Sequence, residues 1–330
     1  MRAWLAALLL IALPGFFGGA LAEPAPELKM LSEHAVDDMV GGNLSGLAMC
    51  NGELWTVSDR DDGLIYKLDT SASVWKAEAV TIKAPSAPNS GLSFRLRSMA
   101  KASLLARGGE LDFEGITCDA AGNRYLVSEG YAAVLKVPVS GAPTWLKLPK
   151  AVVEQAQAQG MLQKFNAIFE GIAINPAGDR LWLAAEREKR GLLVVGRDQD
   201  KWSCKGSCVI FSEDGTLTMP AQMGSREVPR DFADLALYEG KLFTLERAAY
   251  QICRRDLETA KVERCWSFAN DALVPEKLYS QEFGLAEALV IDKDGAWIGV
   301  DNNFGARADG EKRPIVWRFA APKDGWSAQQ

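Results

Sequence analysis

The chain of 330 residues contains one histidine, His34. That shortage excludes more chemistry than any other feature of the composition. A Ser-His-Asp or Cys-His triad needs histidine as its base, and a HExxH zinc hydrolase needs two histidines. His34 lies ahead of the first repeat described below and reads as a surface or packing residue. The sequence also lacks GxSxG, and no P-loop or GxGxxG precedes a helix, so neither an esterase elbow nor nucleotide binding has a signature. There is no run of Lys or Arg and the net charge is −6, which argues against a nucleic-acid partner. With 48% apolar and 24% charged residues, disorder, collagen and a disulfide miniprotein are excluded as well. Asp59-Arg-Asp61-Asp62-Gly63 has the opening of a calcium loop, but Thr70 stands where that loop needs its last acid, so it reads as a polar turn.

Only the N-terminus is continuously apolar over a useful length. Met1-Arg2-Ala3-Trp4 leads into an apolar run through Leu13, Pro14-Gly15 breaks it, and Ala20-Leu21-Ala22 offers a small-x-small cleavage site. This order predicts a secretory signal peptide over 1–22, a single mature domain over 23–330 and a periplasmic or secreted location. The break and the short apolar core argue against an uncleaved anchor, and no later stretch is long enough to span a bilayer. Cleavage removes Arg2 and no acid, so the mature chain is one charge more negative. All six cysteines fall in the mature part, as expected for an oxidising compartment. Cys253 and Cys265 flank 256–261 as facing positions of a hairpin would. Cys204 and Cys208 bracket a three-residue turn, and Cys50 and Cys118 occupy near-equivalent points of successive repeats. Three disulfides in these pairs are the expectation. No His or CxxC supports zinc.

Five segments read alike. They are Ser45-Gly-Leu-Ala to Leu54-Trp-Thr-Val-Ser-Asp59, Glu114-Gly-Ile-Thr to Arg124-Tyr-Leu-Val-Ser-Glu129, Glu170-Gly-Ile-Ala to Leu181-Trp-Leu-Ala-Ala-Glu186, Asp234-Leu-Ala-Leu to Leu242-Phe-Thr-Leu-Glu246, and Glu287-Ala-Leu-Val to Ala296-Trp-Ile-Gly-Val-Asp301. Each is an apolar run, a turn such as Asn51-Gly52 or Glu239-Gly240, and a second apolar run ending in an acid, the pattern of a hairpin. A third strand follows each pair: at 64–68, 134–137, 192–195, 251–253 and 315–319. A fourth is expected at Trp75, Trp145, Trp202, Trp266 and Trp326. Repeated four-stranded antiparallel units define an all-β fold, a β-propeller. Five blades are visible, and 76–111 joined with 28–40 leave room for a sixth. The repeat spacing exceeds the ~40–45 residues of a compact blade, so long loops decorate one face. Residues 151–162 read as an inserted helix.

In each hairpin the first acid opens one strand and the second closes the next, so both lie at the same end. The symmetry of each pair about its turn predicts that the acids face each other directly, an unfavourable choice for like charges. Glu114, Glu129, Glu170, Glu186, Asp234, Glu246, Glu287, Asp301 and Asp59 thus gather at one mouth, with Ser45 opposite Asp59. Two compensations suit this. Arg60, Arg187 and Arg247 each follow an acid, and a hard divalent cation such as calcium takes several carboxylate, amide and carbonyl oxygens, including those of Asn302 and Asn303. The acids can equally accept backbone N–H groups or pair with the arginines as purely structural devices.

At Asp112-Phe-Glu114-Gly-Ile, Phe169-Glu170-Gly-Ile-Ala, Asp231-Phe-Ala-Asp234-Leu, Leu245-Glu246-Arg247 and Asp301-Asn302-Asn303-Phe304 the sequence resembles the phytase-like (esterase-like activity of phytase) propeller family, from the first repeat to about Phe319. The resemblance implies ester or phosphoester hydrolysis and an envelope location. β-Propeller phytases carry calcium clusters, and lactonase-type propellers, to which the chain is distantly similar in architecture, hold calcium through Glu, Asn and Asp.

Two readings follow. In the first, a calcium-dependent hydrolase of phosphate or carboxylic esters uses Glu114, Glu170 and Glu186 as candidate bases. Asp59, Glu114, Glu129, Glu170, Asp234, Glu246, Glu287 and Asp301 are its metal ligands, and Arg60, Arg187, Arg247, Asn302 and Asn303 its substrate contacts. In the second, a non-catalytic propeller binds a ligand or an envelope protein at the same mouth.

Overall fold

The computed structural model describes residues 24–107, 110–281 and 285–328, so the leader expected at 1–22 lies outside the described residues. The described residues form predominantly antiparallel sheets with few helices. After an N-terminal strand, β1 (Met30–Asp37), the first sheet holds β2 (Gly46–Cys50), β3 (Glu53–Val57), β4 (Leu64–Asp69) and β5 (Trp75–Thr81). An insertion carrying helix α1 (Phe94–Arg107) follows. The second sheet holds β6 (Phe113–Cys118), β7 (Arg124–Ser128), β8 (Ala133–Val137) and β9 (Thr144–Trp145). Helix α2 (Ala151–Ala158) then realises the helix expected over 151–162. The third sheet comprises β10 (Phe169–Ile174), β11 (Arg180–Ala185), β12 (Lys189–Asp198) and β13 (Lys201–Ser203), with β14 (Val209–Asp214) added against β12. A small hairpin, β15 (Thr216–Thr218) and β16 (Glu227–Pro229), precedes the fourth sheet. That sheet runs β17 (Asp234–Tyr238), β18 (Lys241–Glu246), β19 (Gln251–Arg255) and β20 (Val262–Ser267). The last group has β21 (Ala286–Asp292), β22 (Gly295–Val300) and β23 (Ile315–Ala320), and β1 completes it by pairing antiparallel with β23, His34 opposite Val316; the end of β1 also pairs parallel with β5, Val36 opposite Trp75, which joins the first and last groups into one eight-stranded sheet.

The first strands of the five sheets touch in sequence: β2 meets β6, β6 meets β10, β10 meets β17, β17 meets β21, and β21 meets β2. Glycine makes three of these approaches possible. A Cβ on Gly46 would lie 2.9 Å from the Gly115 Cα, one on Gly115 would lie 2.7 Å from the Glu170 carbonyl oxygen, and one on Gly171 would lie 2.8 Å from the Asp234 backbone. The repeated Gly after the first acid therefore exists for strand packing. Apolar side chains fill the wedges between sheets. Tyr125, Phe169 and Leu183 meet Val152 and Val153 of α2 between the second and third sheets. Phe243, Trp266, Phe268, Trp317 and Phe319 pack between the fourth and fifth.

Two expectations change. Trp75, Trp145, Trp202 and Trp266 lie in fourth strands, but Trp326 is in no strand: its ring packs edge-on against Trp266, with centroids 5.0 Å apart, and its N–H donates to the Asp292 carbonyl. The fourth strand of the last sheet comes from β1, because the chain's first strand supplies the edge that its C-terminal turns leave open. Residues 76–111 carry β5 and α1 and residues 28–40 carry β1; β1 and β5 pair in parallel, but among the described residues the two segments supply no further four-stranded unit. His34 is a packing residue, stacked on Trp75 with centroids 4.4 Å apart.

The three disulfides join the cysteines that their spacing pairs. Cys50–Cys118 ties the first sheet to the second, Cys204–Cys208 closes the turn after β13, and Cys253–Cys265 crosses between β19 and β20, where the two residues are register partners. Among the described residues no helix is long and apolar enough to cross a membrane.

Candidate functional site

The first-strand acids are not directly opposed to the second-strand acids. Glu114, Glu170 and Glu287 each fall in a β-bulge at the start of β6, β10 and β21, where the pairing register shifts. In the fourth sheet Asp234 pairs opposite Leu245, not Glu246. A bulge inserts an extra residue and re-aims its side chain, which relieves the like-charge opposition that strict register would impose.

The mouth then assembles as follows. An oxygen from each of Asp59, Asp112 and Glu114 lies within 4.8 Å of the other two, and the same holds for Glu129, Glu170 and Glu186. Arg247 is the hub of the opposite side. It donates from Nε to Asp231 at 2.9 Å, from one terminal nitrogen to Glu186 at 2.6 Å, and from the other to both oxygens of Glu287. Arg187 pairs with Glu186 and donates to the Asn166 carbonyl at 2.7 Å. Arg60 pairs with Asp59 at 3.0 Å, and the Asn43 side chain donates to the other Asp59 oxygen at 2.9 Å. Glu129 accepts from the Ile168 N–H at 2.8 Å. The Glu186 side chain is 1% exposed, and among the described residues its Oε2 has no hydrogen-bond partner.

Two predicted ligands stand apart. Asp234 accepts backbone N–H groups from Leu235 at 2.7 Å and from Leu289 of β21 at 2.8 Å, so it pins neighbouring first strands together. Glu246 is buried between Arg190 at 2.8 Å and Arg255 at 2.7 Å, whose guanidinium groups both lie over the Phe232 ring. Asn302 is buried and donates to the Lys312 carbonyl at 2.7 Å, while the Asn303 backbone N–H donates to Asp301 at 2.7 Å. Asp112, Asp231 and Asn43 complete the mouth without having been singled out as ligands. The signal for the two aspartates was present in the repeated Asp-Phe step, Asp112-Phe113 and Asp231-Phe232: the Phe anchors in the core and the Asp turns inward.

Nine carboxylates (59, 112, 114, 129, 170, 186, 231, 287 and 301) therefore face three guanidinium groups. Burial, then the neighbouring acids Glu170 and Asp112, hold Glu114 and Glu129 well above the usual carboxylate range. Burial pushes Glu170 up to about 7, with Arg247 and Arg187 pulling it back. Glu287 is likewise raised to about 7 against the pull of Arg247, and Asp301 to about 8 against the Asn303 N–H. Arg247, although burial opposes its charge, is held cationic by Glu287, Asp231 and Glu170.

This has a measurable consequence. A carboxyl whose pKa rises on folding takes up a proton, so it destabilises the fold as pH climbs past its unfolded value. For Glu170 and Glu287 the window runs from 4.5 to about 7, and for Asp301 from 3.8 to about 8. Chelator-treated protein is expected to melt at its highest temperature near pH 5 and to lose stability steadily to pH 8 in scanning calorimetry. A melting temperature that rises over that interval would contradict the assigned environments.

The architecture is all-β with an acidic mouth. Residues 40–201 match the model of the phytase-like family, described as esterase-like activity of phytase. No curated protein sequence matches the chain. Among solved structures, the glutaminyl cyclase of Myxococcus xanthus is similar at 11% identity, over 90% of this chain and 99% of that one, with a TM-score of 0.48. The PQQ-bound aldose sugar dehydrogenase of Streptomyces coelicolor is similar at 14% identity, over 90% and 99%, with a TM-score of 0.44. Virginiamycin B lyase from Staphylococcus aureus follows at 13% identity, over 90% and 75%, with a TM-score of 0.38.

Proposed function

We propose that the chain is an exported, closed five-bladed propeller that holds a divalent cation, calcium by its donor chemistry, at the acidic mouth and hydrolyses phosphate or carboxylic esters there. One observation carries this reading: two carboxylate triads stand within metal-ligand spacing, and one of them contains the buried, unpartnered Oε2 of Glu186. Calcium accepts six to eight oxygens in flexible geometry, which suits such a set. The cyclic contacts of β2, β6, β10, β17 and β21 support closure into five blades, and three disulfides support export.

Glu129, Glu170 and Glu186, or Asp59, Asp112 and Glu114, would hold the ion. Bound calcium supplies positive charge to the oxygen of an ester or phosphate group. Glu170, with its pKa near 7, is poised as a base toward water at neutral pH. Arg60 and Arg187 orient an anionic substrate from the rim.

The test is calorimetric titration of chelator-treated protein with calcium, followed by turnover of p-nitrophenyl phosphate and p-nitrophenyl acetate. Micromolar binding that is lost in Glu170→Gln, together with turnover of either ester, is the expected result. Absence of calcium binding ends the metal reading. Binding without turnover favours the second reading, a non-catalytic propeller that binds a ligand or an envelope protein. The specific support for that second reading is the engagement of Glu186, Asp231 and Glu287 by Arg247.

A further inference from the structure

Away from the mouth, one stretch contradicts the acidity of the whole. Between Glu78 and Glu110 there is no Asp or Glu, whereas Lys83, Arg95, Arg97, Lys101 and Arg107 all fall there. The chain as a whole holds 43 acids against 37 Lys and Arg. This stretch is the insertion between the first and second sheets that carries α1. It is anchored to the body: the Ile82 N–H donates to the Gly63 carbonyl at 2.8 Å, Leu92 is buried against Val152 and Val153, and Ala100 is buried. The first turns of α1 nevertheless present apolar and cationic groups to solvent together. Phe94 is 79% exposed and Met99 41%, with Arg95 exposed one turn from Met99. Behind them, a cleft of about 640 Å³ separates α1 from 163–166, lined by Arg95, Leu96, Met99, Lys164, Phe165 and Asn166. Among the described residues, Glu188 pairs with the cleft's Lys164 at 2.6 Å, exposed on both sides. Such exposed pairs are weak and exchange readily.

We propose that this insertion docks the protein on an anionic phospholipid surface, Phe94 and Met99 entering the headgroup boundary, Arg95 meeting lipid phosphates and the adjoining cleft receiving a headgroup. A buried role does not account for an exposed phenyl ring among cations. Exposed apolar side chains beside a cation, in a stretch without acids, complement an anionic interface. Each cation near an anionic leaflet strengthens binding about fivefold. The rest of the molecule is net acidic and is repelled, so attachment is confined to this edge and is sensitive to salt.

The experiment is cosedimentation of the purified mature protein, in chelator, with vesicles of phosphatidylcholine alone or with about one-third phosphatidylglycerol. Binding at least tenfold tighter to the anionic vesicles, reversed by about 0.5 M salt, is expected. Phe94→Ser and Arg95→Gln should each weaken it several-fold without moving the melting temperature, because both side chains are exposed. Equal binding to both vesicle types, binding to neither, or binding unchanged in both variants would overturn the proposal. So would a Phe94-dependent dimer in light scattering without lipid binding, which assigns the face to self-association.

Discussion

Replacing Arg247 with methionine is expected to destabilise the protein by about 3–5 kcal/mol at pH 8, and by much less at pH 5. The side chain touches Glu186, Asp231 and Glu287, all of which remain when it is removed. Methionine fills much of the space, so the loss is electrostatic rather than a cavity. At pH 8 three carboxylates then face one another in a buried site, in addition to Glu170. At pH 5 Glu287 and Glu170 take up protons and the repulsion falls, because burial already favours their neutral forms. Urea unfolding at the two pH values measures the difference. An equal loss at both would show that Arg247 acts through packing and not through charge.

Glu246→Ala is expected to cost a similar amount, about 3–5 kcal/mol, with no such rescue between pH 5 and 8. Here the groups left behind are guanidiniums. Arg190 and Arg255 side chains are 2% and 1% exposed, and Glu246 joins them from between. Arginine does not deprotonate in this range. Glu213 remains near Arg190 at 2.5 Å, but among the described residues Arg255 keeps no acid in a salt bridge, only hydrogen bonds to Thr244 and the Ala260 carbonyl and the rings of Phe211 and Phe232. In the native protein the two arginines hold the Glu246 carboxyl below its usual value of 4.5 against the effect of burial, so its contribution is present above that pH and fades only in acid. Recovery of the variant at pH 5 would remove this assignment. Together the two variants separate the acidic mouth from the cationic core beneath it, two places where sequence had grouped Glu246 and Glu287 as equivalents.

The fold was largely legible because each unit repeats hydrophobic runs, turn residues and a terminal acid. Asn51-Gly52 and Glu239-Gly240 both adopt positive φ at their two central residues, the demand of a tight hairpin, and both turns stand out in the sequence. The disulfides were legible for the same reason: Cys253 and Cys265 are equidistant from a turn. The strand supplied by β1 was not, because nothing local in 30–37 says which edge 280 residues away it will meet. The acids were legible as a group but not in their roles. Bulges at Glu114, Glu170 and Glu287 depend on the approach of a neighbouring sheet, and symmetric counting about a turn cannot register the extra residue. Likewise the partners of Asp234 and Glu246 come from other sheets or from later strands. Periodicity reports on pairing within a hairpin, and these contacts are made between hairpins.

The pairing of β1 with β23 also fixes an order of events. The strand that leaves the ribosome first has its partner in the strand that leaves almost last, with Glu33 accepting from the Trp317 indole at 2.9 Å across a separation of 284 residues. Such a long loop is slow to close. The nascent chain can complete its inner hairpins one after another, yet its last sheet stays one strand short until synthesis ends. Until then the exposed edge of β23, or of β1, is open to any other extended chain. A C-terminal truncation before 315 would therefore leave β1 with only its short parallel pairing to β5, and limited proteolysis of such a fragment should cut first within 24–40.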